Sequence, residues 1–387
     1  MKFIHSYISH ALAILKAYNG EMPLASFLKK YFSRSRKFGS HDRKQIAQLC
    51  YAYFRLGKSA IGMDRQEALL TGFFLSSSGD AEIIEVLKPE WHSLTGQSLA
   101  KKIAYLQYPV DKVFPWQNAL SDHIDYEAFS LSFFRQPDLF LRIRPGHLQS
   151  VKRQLDSSGL DYAITDAACI RLSNSVKADK LFVINREVVI QDLNSQQTGD
   201  IIAGYLSGKT GTTLQLWDCC AASGGKSIML YDRVPGLALH VSDIRESILA
   251  NLRQRFREAG IDQYDLFPAD LSKEVVLKNK LPFDIILADV PCSGSGTWSR
   301  TPEQTYFFEE KKIDVYQGLQ KRIVSHAIPY LRKGGLFIYI TCSVFRKENE
   351  EMVRFIQEEK GLQLLKMEIL KGYDQQADTL FIALFNS

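Results

Sequence analysis

The second half of this 387-residue chain is predicted to be α/β, built on a mostly parallel sheet, and the first ~110 residues are predicted to be all-helical. Three observations carry this. From residue 191 onward, short apolar runs at 214–219, 237–243, 264–269, 283–289 and 336–341 alternate with helical patterns. Such alternation folds into a parallel sheet covered by helices on both faces. The unusual polar and sulfur residues stand at the ends of those runs, where open parallel sheets hold their ligands. Before residue 110, by contrast, apolar residues recur every three or four positions, as in Ile8, Ala11, Leu12 and Leu15, which is the period of a helix.

In chain order, Ser40 is expected to cap a helix that runs through Ile46, Leu49, Cys50, Tyr53 and Phe54. The run from Leu139 to Arg144 alternates like a strand and ends at Pro145-Gly146. A helix is expected over 147–155 with Gly159 as its stop, followed by short strands at 160–164, 169–172 and 181–190. Two final strands are expected at 361–370 and 378–386, joined by Lys371-Gly372-Tyr373-Asp374. These elements give three expected domains: a helical one over 1–125, a small α+β module over 126–190, and the α/β domain over 191–387.

Length leaves room for two or three domains, and 45% hydrophobic with 24% charged residues is the composition of a chain with a full core. The start, Met1-Lys2-Phe3-Ile4-His5-Ser6, turns polar too early for a secretory signal. No apolar run approaches the roughly 20 residues that span a bilayer. A soluble protein in a reducing cytoplasm, with no membrane partner and acting as a monomer, is expected. Six cysteines are scattered without a CxxC. Adjacent Cys219 and Cys220 are expected to face opposite ways on a strand, so no metal site is expected. The net charge is +5, unevenly spread. Residues 29–58 carry nine Lys or Arg against the one acid Asp42, whereas 59–90 carry two bases against six acids. A concentrated basic segment can track a phosphate backbone, and it can equally be a solvated helix face.

The chemistry lies at three strand ends. Asp218-Cys219-Cys220-Ala221-Ala222-Ser223-Gly224-Gly225-Lys226 follows the first expected strand and opens a helix. Gly224 and Gly225 let a ligand approach the backbone, and a helix N-terminus adds free N–H groups. Asp243, some 25 residues on, is placed to accept from ribose hydroxyls, and Asp270 from an adenine amino group. Gly224-Gly225-Lys226-Ser227 looks like the end of a phosphate-binding P-loop, but Cys220 stands where that motif needs Gly. S-adenosylmethionine, with its adenosine moiety, fits the loop and the two acids better. Each Asp alone is a strand end or helix cap about as often as a ligand contact; the three in register carry the reading.

Cys292 in Asp289-Val290-Pro291-Cys292-Ser293-Gly294 and Cys342 in Tyr339-Ile340-Thr341-Cys342-Ser343 each follow an apolar run. A lone cysteine is usually a small buried hydrophobe. Two at strand ends beside a cofactor loop suggest covalent chemistry. C5 of cytosine is too electron-poor to take a sulfonium methyl directly, and a thiolate adding to C6 makes it nucleophilic. One thiol could be that nucleophile and the other could assist release, with Asp289 against the base edge.

With these residues assembled, positions 190–387 resemble the RNA cytosine-5 methyltransferases, the Nop2/Sun family. The resemblance rests on DCCAASGGKS, Asp243, Asp270, DVPCSGSG, and YITCS followed by Glu348-Asn349-Glu350. Gln191-Asp192-x-x-Ser195-Gln196 resembles the opening of the family's catalytic domain. The resemblance implies a Rossmann-like S-adenosylmethionine-dependent methyltransferase domain. It implies that Cys342 attacks C6, that Cys292 assists release, and that Asp289 and Lys226 face the base and the cofactor's methionine end. Asp243 would take the ribose and Asp270 the adenine, with Cys219, Cys220, Ala221, Ala222, Ser223, Gly224 and Gly225 forming the cofactor loop. Two positions depart from the family pattern: Ser223 replaces a Pro, which is expected to loosen the loop, and Ile248 stands where an Arg is usual, a role open to Arg245 or Arg253. Asp42-Arg43-Lys44, Leu49, Tyr51 and Arg55 resemble the NusB-type RNA-binding bundle, and Phe133-Phe134-Arg135-x-Pro137-x-x-x-Leu141-Arg142 resembles the linker module of the bacterial enzymes that methylate 16S ribosomal RNA. An RNA partner is therefore implied. The same chemistry on tRNA, a DNA cytosine methyltransferase using the Pro-Cys thiol, and an inactive RNA-binding assembly factor are the competing readings.

Overall fold

A computed structural model describes residues 3–34, 38–79, 82–166, 168–207, 213–277 and 282–387. Arg36 and Lys37 of the basic segment, and Asp80 of the acidic one, lie outside the described residues. The chain divides into two compact units. One comprises Met1–Leu120, Ile124–Gln136 and Thr297–Glu310; the other comprises Ser121–His123, Pro137–Gly296 and Lys311–Ser387. The stretch 126–190, expected as one module, is thus shared between them, and Thr297–Glu310, expected within the α/β domain, belongs with the helices.

The first unit is helical, with its longest helices at Ile4–Ala17, Leu24–Ser33, Ser40–Arg55 and Arg65–Ser76. Ser40 is the first helical residue rather than the cap. Gly39 takes the cap position, and its N–H donates to Asp42 Oδ2 at 2.8 Å. The basic segment is not uniformly solvated. Arg55 is buried, donating to the carbonyls of Phe133 (2.6 Å), Arg135 and Ser299. Lys58 donates to the Tyr306 carbonyl at 2.8 Å. Five described bases, Lys29, Lys30, Arg34, Arg43 and Lys44, remain on the surface.

The second unit holds two sheets. Strands β1 (Leu139–Ile143), β2 (Tyr162–Asp166), β3 (Cys169–Leu172) and β4 (Val188–Ile190) form a small antiparallel sheet in the order β2-β3-β1-β4. The helix Leu148–Ser158 ends at Gly159, whose φ of 66° suits a residue without Cβ. The strand expected over 181–190 shrinks to its last three residues. Leu181 to Ile184 are apolar, but Asn185 adopts φ 66° and donates to the Val188 carbonyl, so the chain turns before it can extend.

Strands β5 (Leu214–Asp218), β6 (Leu237–Asp243), β7 (Tyr264–Pro268), β8 (Phe283–Asp289), β9 (Leu331–Thr341), β10 (Gln363–Leu370) and β11 (Leu380–Asn386) form the large sheet, in the order β10-β11-β9-β8-β5-β6-β7. The run β9-β8-β5-β6-β7 is parallel, and β11 joins antiparallel to β9. Both faces are buried, as parallel sheets require. Leu216, Ile285, Leu287, Ile338, Ile340 and Ile382 face the helices Leu193–Leu206, Gly225–Arg233 and Glu246–Glu258. The alternate residues Trp217, Ile286, Ala288, Phe337, Tyr339 and Phe381 face Lys312–Ala327 and Glu350–Lys360. β5 is the first strand of the sheet, with β6 and β7 added on one side and β8 and β9 on the other. The strand order therefore reverses between β5 and β8, and a crevice opens there at the carboxyl ends.

Arg142 in β1 and Arg144 just past its end both grip the buried Asp232, at 2.6 and 2.7 Å. Arg142 also donates to Gln191 Oε1 at 2.9 Å, just past β4, while its ion pair with Asp232 ties the small sheet to the helix Gly225–Arg233.

Candidate active site

The carboxyl ends of the parallel strands enclose a cavity of about 460 Å³. Its wall includes Cys219, Cys220 and Ala222 after β5, Asp243 and Arg245 after β6, Asp270 after β7, Asp289 and Cys292 after β8, and Cys342 after β9. Five separate strand ends thus bring together residues spread over more than a hundred positions of sequence. Of the expected cofactor-loop residues, Ala221, Ser223, Gly224, Gly225 and Lys226 stand behind this wall rather than in it.

The loop is held from several sides. The Cys219 N–H donates to Leu287 O at 3.0 Å, and Ala221 N–H to Ser242 O at 2.9 Å. Ala222 adopts a left-handed φ of 46° and points its N–H at Asp243 Oδ2, 3.1 Å away. A non-glycine residue there stores strain that the surrounding contacts must offset. Gly224 has φ 80°, and a Cβ on it would come within 2.6 Å of the Phe256 ring, so glycine is required twice over. The turn also corrects an expectation. β5 ends at Asp218, so Cys219 and Cys220 are past the strand, and both reach the cavity wall instead of facing opposite ways.

Ser223 does not leave the loop slack. Arg255 Nη1 donates to its hydroxyl at 2.7 Å and to its carbonyl at 3.0 Å, and Arg255 Nε is fixed by Asn185 Oδ1. A side-chain tether from the helix Glu246–Glu258 does here what a ring would do covalently. The arginine question resolves similarly: Arg245, not Arg253, meets Asp243, with its backbone N–H and Nε donating to Oδ1 at 2.9 and 3.1 Å. Asp270 lies two residues beyond β7 and accepts from the N–H and hydroxyl of Ser272, which hold its carboxyl below the usual range.

At the other end of the cavity the Cys292 and Cys342 sulfurs are 3.3 Å apart, although 50 residues separate them in sequence. The pairing of Asp289 with Ile340 across β8 and β9 sets both loops at one level. The hydrogen bond with Cys342, together with burial, pushes the Cys292 thiol well up. Lys226 Nζ meets Asp289 Oδ2 at 2.7 Å. Burial alone would lower the Lys226 pKa, but Asp289, and beyond it Cys342 and Asp218, raise it, so a positive charge is kept beside the thiols.

Sequence reasoning missed the clamp under these cysteines. Glu348, fully buried, accepts from the Ser293 N–H (2.9 Å) and Gln320 Nε2 (2.9 Å) through Oε2, and from the Ser343 hydroxyl (2.7 Å) through Oε1. Asn349 accepts from Thr341 Oγ1 at 2.6 Å and donates to Ser343 O at 2.9 Å. Glu348 therefore joins the residue after Cys292 to the residue after Cys342. The signal was present in Glu348-Asn349-Glu350, but nothing in a linear spacing says that a carboxylate bridges two loops.

Asp218, one per cent exposed, is pushed up to about 7 by burial; the Ser227 hydroxyl at 2.6 Å, Lys226 and the Cys220 N–H pull the other way without offsetting it. A carboxyl whose pKa rises on folding binds its proton more tightly in the native state. Its penalty is thus absent below about pH 4 and grows until the pH passes the folded value. Asp218→Asn should therefore gain stability relative to the parent chain as pH rises from 5 to 8. At about 1.36 kcal/mol per pKa unit the change is roughly 2 to 3 kcal/mol. Paired urea melts at the two pH values check it, and a difference that does not move with pH would show that Asp218 stays ionised throughout.

Among the described residues no group of three or more His, Cys, Asp or Glu is placed to hold a metal ion, and no helix is long and apolar enough to cross a membrane.

A parallel sheet with a crevice at its switch point, a glycine loop and acids at successive strand ends define a Rossmann-like domain of the methyltransferase class. Residues 205–382 match the family described as 16S rRNA methyltransferase RsmB/F. The chain is 28% identical over 278 residues to the ribosomal RNA small subunit methyltransferase B of Xanthomonas campestris, a match covering 67% of this chain and 62% of that protein. Matches to the curated relatives span between 36% and 62% of their lengths. The fold is shared with the crystal structure of PH0851, with TM-score 0.72 and 17% identity over 100% of this chain and 98% of that one. It is also shared with a methyltransferase homologue from Pyrococcus horikoshii, with TM-score 0.57 and 19% identity over 77% and 98%.

Proposed function

We propose that this protein is an S-adenosylmethionine-dependent methyltransferase acting on small-subunit ribosomal RNA, and that it methylates C5 of a cytosine through a transient bond between Cys342 and C6. The observation that carries the proposal is the pair of sulfurs 3.3 Å apart on the wall of a cavity that also exposes Asp243 and Asp270. The family match over residues 205–382 and the small-subunit relatives support it.

The residues present suit the cofactor. The cavity of about 460 Å³ has carboxylates at two neighbouring strand ends and the apolar walls of Leu271, Val290 and Ile323 between polar rims, as a site for an adenosine moiety needs. Asp243 would hold the ribose hydroxyls, Asp270 the adenine amino group, and the Cys219–Lys226 loop the methionine end. When bound, the cofactor supplies an electrophilic methyl group.

The protein's own residues do the rest. Cys342 adds to C6, and the electron pair this releases makes C5 nucleophilic. Asp289, set by Lys226, faces the pyrimidine edge and accepts from its exocyclic amino group, while the Lys226 charge offsets the negative charge developing on the ring. Lys226 also keeps a positive charge within coulombic reach of the Cys342 sulfur. Once C5 carries the methyl group its proton passes to solvent water acting as base, and the Cys342 sulfur leaves with the C6–S electron pair as the ring double bond re-forms. Cys292, against that sulfur, assists the departure. The target cytosine must be unstacked, since C6 is out of reach within a helix.

Mapping 5-methylcytosine in ribosomal RNA from cells with and without this protein tests the proposal. One small-subunit cytosine should lose its mark. A mark lost from tRNA instead would transfer the chemistry to another substrate, and no change in any RNA would refute it. RNA affinity should also fall with salt. Five surface bases at about 0.7 counterions each contribute up to roughly −3.5 to the log–log slope, and replacing Lys29, Lys30 or Lys44 by Gln should flatten it by about 0.7 apiece. Titrations at several salt concentrations read this directly.

A further inference from the structure

The helical unit contains its own cavity, of about 630 Å³, lined by Phe3, Ser6, Tyr7, His10, Tyr31, Arg34, Phe38 and Asp42. Its composition differs from that of a core. Four of the eight residues are aromatic rings and a fifth is an imidazole, yet none is fully buried. The rings are also arranged. His10 meets Phe38 edge-on at 4.8 Å, while Tyr31 and Phe38 lie nearly parallel at 6.4 Å, as do Phe3 and Tyr7. The Tyr7 hydroxyl donates to Asp42 Oδ1 at 2.8 Å and His10 Nδ1 is 3.3 Å from the Tyr31 hydroxyl, so the polar edges of the rings are held in place.

The surroundings are cationic. Arg34 is part of the wall, and Lys29 and Lys30 precede Tyr31 on its helix. Arg43 and Lys44 follow Asp42 on the next helix, with Arg43 Nε held on the Phe38 carbonyl at 3.0 Å. These are the five surface bases noted above. Aromatic faces rimmed by Lys and Arg are what a single-stranded nucleic acid needs: cations neutralise the phosphates and rings stack on unpaired bases. An acidic peptide would use the charge but not the ring faces, and an apolar partner would use the rings but not the charge.

We infer that this cavity is a second RNA-binding site, distinct from the cavity at the sheet's carboxyl ends, which takes an unpaired base of the RNA by stacking it among Tyr7, Tyr31 and Phe38 while Arg34 and its neighbours hold the adjoining phosphates. Asp42 accepts from the exocyclic amino group of the stacked base. The site rests on the proposed RNA reading and adds to it a recognition element for a single-stranded stretch other than the methylated cytosine.

The test uses the full chain and a short single-stranded RNA carrying 5-iodouridine at one position. Irradiation should cross-link it to a peptide containing Tyr7, Tyr31 or Phe38. Tyr31→Leu and Phe38→Leu, which keep apolar volume but remove the ring, should each weaken binding about 10-fold. Tyr31→Phe should bind as the parent does, and thermal melts should confirm that all three variants fold. Cross-links confined to the other unit, or unchanged affinity in both folded leucine variants, would overturn the inference, as would equal affinity for a fully paired duplex. The two readings separate cleanly. Cross-linking here without methyl transfer to any RNA would sink the proposed function and leave this site standing. Methyl transfer with leucine variants that bind and turn over normally would do the reverse.

Discussion

Replacing Cys342 by alanine should reduce methyl transfer by at least ~10⁴-fold while leaving cofactor binding intact. The size follows from what the sulfur supplies. Without addition at C6 the pyrimidine C5 has no electron pair to offer, and positioning alone cannot replace a missing covalent step. The cofactor end should be unaffected, because Asp243, Asp270 and the Cys219–Lys226 loop are held by contacts that do not involve Cys342. Single-turnover transfer from labelled cofactor, beside calorimetric binding of the demethylated cofactor, measures both. RNA containing 5-fluorocytosine, which cannot release its C5 substituent, should form a stable adduct with the parent chain and none with Cys342→Ala. If the adduct survived in that variant and vanished in Cys292→Ala, the roles of the two thiols would have to be exchanged.

The second large effect belongs to Cys292. Cys292→Ala should still form the bond to C6, because Cys342, Lys226 and Asp289 remain. It should then fail to let go, and denaturing gels of enzyme mixed with unmodified RNA should show a slow-migrating covalent complex that the parent chain does not accumulate. Multiple-turnover rate should fall by roughly 10²- to 10⁴-fold, the range of a positioned group that assists proton movement. The Cys292 thiol, pushed up by its hydrogen bond to Cys342 and by burial, holds its proton tightly and lies 3.3 Å from the sulfur that must leave. Normal release from the alanine variant would show that the 3.3 Å contact serves only packing.

Both predictions depend on loops staying where they are, and here Glu348 matters as much as the cysteines. Its carboxyl is raised by burial but steadied by three donors. Removing it takes away the buried acceptor that the Ser293 N–H, Gln320 Nε2 and the Ser343 hydroxyl share, at a cost of about 1–3 kcal/mol for any donor that finds no other acceptor. The thiol pair is therefore a property of the loops' shared anchor, not of the two cysteines alone.

How much of this was legible in the chain can be judged from particular elements. β6 and β8 run from Leu237 to Asp243 and from Phe283 to Asp289, as their apolar patterns indicate, because a strand buried on both faces is mostly apolar along its length. The run over 181–190 misled for the converse reason: four apolar residues look the same whether they extend or pack one side of a turn, and Asn185 decided for the turn. The basic segment was a count of charges, and a count cannot distinguish Arg55, buried among three carbonyls, from Lys29 on the surface. Ser223 read as a weakness because its partner, Arg255, lies 32 residues away on another helix.

From its sequence alone this protein's architecture, its glycine loop, its two acids and its two reactive sulfurs could be named, since each is a local pattern: a period, a turn residue, a residue at the end of an apolar run. Only the tertiary structure decided that Cys292 and Cys342 touch, that Arg245 serves Asp243, that Glu348 ties two loops and that five rings of the helical unit share one cavity. Those facts depend on strand order and register, which bring distant segments within a few ångströms, and no spacing along a chain encodes a distance across it.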